Sequence, residues 1–357
     1  MIRTFLISLL LLAFAPQLNA QTIAPDKDTN SLKKKFILAK KEFQLFEKQH
    51  GAFVKTNNIL MHYLTWGSPS GIPLVWVHGS LTNGYEFLEV ANKLASAGYF
   101  VIAIDYYGHG QTPIPEHDVS LYHVADDIKV LMDSLHIKKA VIGGFSRGGY
   151  ISTAFYDAYP GMVYGLILED GGSVAFNSYN HQLPVADVEK KIQSIGLDAL
   201  PKNIFDSELD AFCSIYDSSE NGTQFELLSW INQTKQGKWS IGTDLMSFFN
   251  MADNDQYRDL IYNTTKASLF GESMALIEPK IIFRNLSVPV LILDPISEND
   301  VFPFEKENAA LQKQHPGFIK HVRYDNTAHN IHFSHPQKFT ADLIDFLFII
   351  KKPKRRK

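Results

Sequence analysis

A chain of 357 residues with 45% hydrophobic content is long enough for a large core with an inserted segment, and too apolar to be disordered along its length. A formal charge of −4 excludes bulk attraction to nucleic acid as the governing property. The single cysteine, Cys213, excludes an intramolecular disulfide framework; with no glycine or base beside it, it reads as a small buried hydrophobe.

Met1-Ile2-Arg3, an apolar run over residues 4–15 and the small residue Ala20 have the pattern of a secretory signal peptide over residues 1–20. The run of roughly 12 residues falls short of the ~20 that cross a bilayer, so an exported protein, periplasmic or secreted and without a stable membrane span, is expected. Residues 21–51 read as an N-terminal extension. Within it the lysine-rich stretch 31–49, with Phe36, Ile37, Phe43, Leu45 and Phe46, predicts a short amphipathic helix laid on the main domain. Residues 52–55 and 59–66 alternate around Thr56-Asn57-Asn58, the pattern of an antiparallel hairpin at a sheet edge.

From Pro73 the pattern changes to continuous apolar runs alternating with helices, as a parallel sheet covered on both faces requires. Strands are predicted at 73–77, 99–104, 139–142 and 162–168, with helices at 85–97, 121–135 and 150–159. Between Gly171 and about Asn285 the alternation stops. That stretch is aromatic and helix-like without clear strands, and reads as a cap inserted over the sheet, whose aromatic residues mostly hold the cap together while some line a pocket. Strands at 289–293 and 318–324 and helices at 303–314 and 336–350 resume the pattern, and the basic tail 351–357 reads as a solvated terminus. The expected organisation is a mostly parallel, doubly wound α/β core over 52–171 and 286–350, interrupted by a helical cap over 172–285.

The chemistry centres on Gly144-Phe145-Ser146-Arg147-Gly148, a G-x-S-x-G pattern placed where a buried strand becomes a helix. A turn that sharp lifts a serine oxygen above the sheet edge and leaves no room for a Cβ on its neighbours. The helix starting at Arg147 turns free amides toward the serine, which suits an anionic intermediate. Val77-His78-Gly79-Ser80 follows the third strand, and Asp105-Tyr106-Tyr107-Gly108-His109-Gly110 the fourth. Glu298-Asn299-Asp300 follows a late strand, and Ala328-His329, with His332 and His335 beyond, follows the last.

With these turns in this order the chain resembles the α/β-hydrolase fold family, in its capped branch with a serine nucleophile, over about residues 52–350. The resemblance implies Ser146 as nucleophile, His329 as general base seven residues before Pro336, and an oxyanion hole of the Ser80 and Arg147 backbone amides. For the acid, the family's spacing falls on Asn299, so Asp300 and Glu298 both stay open, Asp300 slightly preferred; Asp294 is a distant third. Asp170, in Glu169-Asp170-Gly171-Gly172, is an alternative acid in a rearranged triad or, preferably, a hinge into the cap. His78 and His109 are expected to hold loops, and the Arg147 side chain to be salt-bridged rather than to meet an acidic substrate. A metal site at His329-x-x-His332-x-x-His335 is discounted, because the stretch reads as a loop without a nearby acidic ligand. The implied activity is cofactor-free cleavage of a carboxylic ester or related acyl compound, a small molecule with an apolar portion, through an acyl-enzyme. Carbon-carbon bond or amide hydrolysis on the same triad, or ligand binding without catalysis, are the alternatives. Serine at position 146 sets the chain apart from epoxide hydrolases and haloalkane dehalogenases, where the resembling families use aspartate.

Overall fold

Continuous apolar runs become strands because both faces of the sheet are covered. In the computed structural model, which describes residues 29–199, 203–242, 245–297, 300 and 302–351, they form β3 (Ile72–Val77), β4 (Tyr99–Ile104), β5 (Ala140–Phe145), β6 (Val163–Glu169), β10 (Val290–Ile296) and β11 (Ile319–Asp325). The hairpin forms β1 (Gly51–Lys55) and β2 (Leu60–Trp66), with Thr56 at its turn as expected. One sheet results, in the order β1-β2-β4-β3-β5-β6-β10-β11, antiparallel at the hairpin and parallel from β4 onward. The segment expected to be a signal peptide, and the tail beyond Lys351, lie outside the described residues.

Alternation along each strand sorts the core into two layers. Val75, Val77, Ile102, Ile104, Ile142 and Leu166 face α3 (Leu121–Ser134) and α4 (Arg147–Ala158). Leu74, Trp76, Val101, Ala103 and Ile167 face the opposite way, onto α2 (Leu88–Ser96) and the closing helix α12 (Pro336–Lys351). The inserted segment carries α5 (Val185–Ile195), α6 (Glu208–Ile215), α7 (Asn254–Tyr262), α8 (Leu269–Leu276) and the single turn α9 (Pro279–Ile282). It is not purely helical: β7 (Ile204–Phe205), β8 (Asn232–Gln233) and β9 (Trp239–Ser240) pair into a small antiparallel sheet. Two-residue strands carry no periodicity that a sequence could display. Between β10 and α12 come α10 (Glu305–Gln314) and the short α11 (Ile331–Ser334).

The N-terminal helix α1 (Thr29–His50) does more than lie on the core. Phe36, Ala39, Phe43 and Phe46 recur at helical spacing on one face, whereas Ile37 and Leu45, expected among the apolar contacts, are exposed. Phe36 meets Phe212 of α6 at 5.4 Å, and Lys40 pairs with Glu208 at 2.7 Å. Farther along, Phe46 packs between Tyr85 and Phe225, at 5.3 Å from each. Glu47 then enters the core, accepting from Tyr85 and pairing with His62 Nε2 at 3.0 Å. His62 Nδ1 is bonded on its other side to Asp105 at 2.7 Å. One helix therefore ties the inserted segment to the sheet.

Burial opposes the charge on His62, but Asp105 and Glu47 outweigh it and hold the imidazole at about 9. Because the folded-state value lies above the ordinary 6.5, the stabilisation is complete below about pH 6.5 and disappears as the pH rises through about 9. Replacing Glu47 by Gln should cost about 2 kcal/mol at neutral pH, the scale of one charge-assisted hydrogen bond. Urea denaturation at several pH values should show the gap between wild type and variant narrowing as the medium becomes alkaline; a gap unchanged by pH would mean the pair is held by geometry rather than charge.

Candidate active site

Three neighbouring strands end in the turns that the sequence singled out. Register places Val77 of β3 opposite Gly144 of β5, and Phe145 opposite Glu169 of β6, so the segments after these strands emerge side by side. Ser146 sits at φ 51° and ψ −119°, a strained conformation for a residue with a side chain, and is partly exposed between buried neighbours. Two crossings enforce this shape. A Cβ on Gly148 would lie 1.9 Å from the Val77 carbonyl oxygen, and one on Gly144 2.3 Å from the Gly148 backbone. The helix thus starts against bare backbone, and only glycine permits it.

The turn after β3 is held by histidines, as expected. The Tyr106 amide donates to His78 Nε2 at 3.2 Å, which leaves Nδ1–H to donate to the Gly79 carbonyl at 2.7 Å. His109 repeats the arrangement, accepting from the Leu81 amide at 3.2 Å and donating to the Tyr107 carbonyl at 3.0 Å. Burial pushes the His109 imidazole down to about 3 and His78 well below its usual value, so both are neutral struts. Asp105 anchors the next turn, accepting from the Gly84 and Gln111 amides at 2.7 and 3.1 Å.

His329 lies with its ring 4.7 Å from that of Phe145, the residue before Ser146. Its Nδ1 is hydrogen-bonded to Oδ2 of Asp170, one residue past β6 and itself at φ 43°. Of the carboxylates weighed for this role, the one bonded to His329 is thus Asp170, offered as the alternative. Asp300, the preferred candidate, is half-buried, and its Oδ1 accepts from the Phe302 amide at 2.9 Å instead of from His329. Glu298 lies outside the described residues. Asp294 is buried against His321 at 2.6 Å. The register that pairs Phe145 with Glu169 brings Asp170, the next residue, beside Ser146. Burial pushes its carboxyl up to about 7 against the pull of His329, with Asp300 and Asp294 adding to the rise.

The preceding residue, Glu169, holds the same histidine loop from the other side of the chain. Its carboxylate accepts from the His332 amide at 2.9 Å and from His332 Nδ1 at 2.8 Å. His335 turns elsewhere, to Thr327 Oγ1 at 2.9 Å, so the three histidines serve three separate partners. Cys213, expected buried, is half-buried on α6.

A correction does concern the Arg147 side chain. Its side chain was expected in a salt bridge, yet it is 2% exposed and pairs with no carboxylate among the described residues. Nε donates to Ser80 Oγ at 2.9 Å, one terminal nitrogen approaches Met251 Sδ at 3.8 Å, and the guanidinium lies over the Phe249 ring at 4.5 Å. Phe249 also stacks on His109 at 5.4 Å, so part of the inserted segment's aromatic set does reach the turn beside Ser146.

With this geometry in view, the alpha/beta hydrolase fold family matches the chain over residues 72–336. The AB hydrolase superfamily protein YisY of Bacillus subtilis is 27% identical over 194 residues, 53% of this chain and 69% of that protein. An epoxide hydrolase of Caballeronia sordidicola is 36% identical over 98 residues, covering 27% of this chain and only 29% of that protein. Among solved structures, carboxylesterase CesB of Bacillus subtilis superposes with a TM-score of 0.58 at 15% identity, covering 89% of this chain and 98% of that one. The esterase EaEST of Exiguobacterium antarcticum does so at 0.54 and 20% identity, over 85% and 100%.

Substituting Gly148 by Ala should lower stability by about 1–3 kcal/mol, since the new methyl group meets the fixed backbone of β3. Chemical denaturation checks this, and a neutral effect would mean that helix and strand can part without cost.

Proposed function

The chain belongs to the α/β-hydrolase fold family, and from that premise we propose that it is a serine hydrolase cleaving a carboxylic ester or related acyl compound through an acyl-enzyme. The observation that carries the reading is the His329–Asp170 hydrogen bond on a loop packed against the Ser146 turn. Asp170 replaces Asp300 and Glu298 as the proposed acid. It fixes the imidazole so that Nδ1 keeps its proton and Nε2 is free to act as base. Ser146 Oγ then attacks the acyl carbon as His329 takes its proton, and the backbone amides of Ser80 and Arg147 receive the developing oxyanion. Collapse expels the alcohol, protonated by His329, and water discharges the acyl-serine by the same route. The requirement for a third group, which Asp300 and Glu298 left blurred, is what had kept a non-catalytic binding role open; a carboxylate already bonded to His329 weighs against it. Export through the segment at residues 1–20 belongs to the same proposal, and among the described residues no helix is long and apolar enough to cross a membrane.

Ser146→Ala should abolish both hydrolysis of activated short-chain esters and covalent labelling by a fluorophosphonate, read by intact mass. Asp170→Asn should lower turnover about 10⁴-fold, and Asp300→Asn about tenfold at most, since Asp300 acts only through its field. The opposite ranking in steady-state kinetics would return the acid role to Asp300.

The chemistry needs Asp170 ionised and His329 neutral, and burial raises the Asp170 carboxyl to about 7. With the Asp170 carboxyl at about 7, kcat/KM should fall as the pH drops below about 7. A profile flat down to pH ~4, the range of an ordinary carboxylic acid, would show that Asp170 is not the titrating element.

A further inference from the structure

We propose that the ester this site accepts carries a second, anionic group, a carboxylate, and that the Arg147 guanidinium receives it. The inference deepens the reading of Ser146 as nucleophile and names the substrate class.

Arg147 follows the nucleophile directly and is 2% exposed. A buried cation is costly unless a carboxylate accompanies it. Several other buried or partly buried charges near the active site have oppositely charged or ionisable partners: His62 has Asp105 and Glu47, and Asp170 and Glu169 have His329 and His332. Arg147 has a serine hydroxyl, a thioether at 3.8 Å and the faces of Phe249 and Phe270, at 4.5 and 5.5 Å. One terminal nitrogen, Nη1, is buried without any hydrogen-bond partner. Burial pulls the guanidinium down only to about 10, so it keeps its charge at neutral pH.

Its surroundings are those of a receptor rather than of a strut. Ser80, bonded to Nε, lies in the turn whose amide faces the oxyanion, and Ser80, Ser146 and Met251 are each partly exposed while the arginine sits behind them. The Met251 thioether, a weak acceptor on a flexible chain, closes the last direction. A substrate carboxylate can displace it and offer two oxygens to the fork, which a planar guanidinium binds with particular strength. In that pose the Phe249 and Phe270 faces that flank the guanidinium would meet a short methylene spacer between carboxylate and ester.

The test uses monoethyl adipate and its neutral counterpart ethyl hexanoate, with ethanol release read for wild type, Arg147→Met and Arg147→Lys. Wild type should favour the anionic ester in kcat/KM by at least about tenfold, as one charge-assisted contact allows. Arg147→Met should lose that preference and Arg147→Lys keep part of it. Adipate itself should raise the thermal midpoint of wild type and leave that of Arg147→Met unmoved. Without ligand, the Met variant should melt no lower than wild type, because it removes an unpaired buried charge. A purely structural arginine predicts the reverse: a lower midpoint and equal losses on both esters, which would overturn the proposal. Fluorophosphonate labelling separates the two levels. A labelled serine with no anion preference sinks this inference alone, whereas an unlabelled serine with adipate stabilising only the wild type sinks the hydrolase reading and leaves the anion site standing.

Discussion

Two consecutive carboxylates at the end of β6 hold two histidines of one loop, and the site depends on that double grip. Glu169 takes the amide and ring of His332 on the side of Trp76 and Phe339, and Asp170 takes His329 beside Ser146. Successive side chains leave a strand on opposite faces, so two adjacent residues can clasp a loop from both sides. The backbone joins in, since the Ser146 amide donates to the Glu169 carbonyl at 2.9 Å and the Asp170 amide to that of Leu293 at 3.0 Å. Nucleophile, proposed base and proposed acid are thus referred to a single point of the sheet. A loop fixed in this way loses little entropy when a substrate arrives, which is the advantage of building a site on rigid elements.

Much of this was legible in the sequence because it rests on local rules. A continuous apolar run followed by glycines predicted each central strand and the elbow, and the strained Ser146 with its clashing Gly144 and Gly148 is the three-dimensional form of that pattern. Which carboxylate meets His329 was less legible, because that depends on pairing. Ser297-Glu298-Asn299-Asp300 has the local look of an acid loop, while Glu169-Asp170-Gly171-Gly172 looks like a strand end. Only the alignment of Phe145 with Glu169 puts Asp170 next to Ser146. The sequence offered Asp170 as an alternative, and the family's spacing falling on Asn299, an amide in the place of an acid, was a signal in its favour.

The N-terminal helix shows the same limit at larger scale. Its amphipathic pattern predicted a helix, yet periodicity does not say what the apolar stripe meets. Phe36 and Phe46 face the inserted segment while Glu47 reaches His62, so the helix bridges two parts of the molecule that the sheet alone does not join. The aromatic residues of the insertion divide accordingly. Phe212, Tyr216, Phe225 and Trp239 pack with the helix, whereas Phe248, Phe249 and Phe270 gather around Arg147 and His109. Composition suggested that most hold the insertion together and some line a pocket, without saying which.

Arg147 was misread for a related reason. The rule that buried charge is paired is a statement about a whole protein in its working state, and it was applied to the chain alone. The chain leaves a guanidinium buried with an unbonded nitrogen beside the proposed nucleophile, a cost that falls on the free protein and that the proposed anion would recover. Stability is surrendered at one residue so that binding can discriminate, since a neutral ligand in the same place would leave the charge as exposed to penalty as before. On the proposed reading the elbow fixes where bonds are broken, and the arginine next to it selects what is brought there.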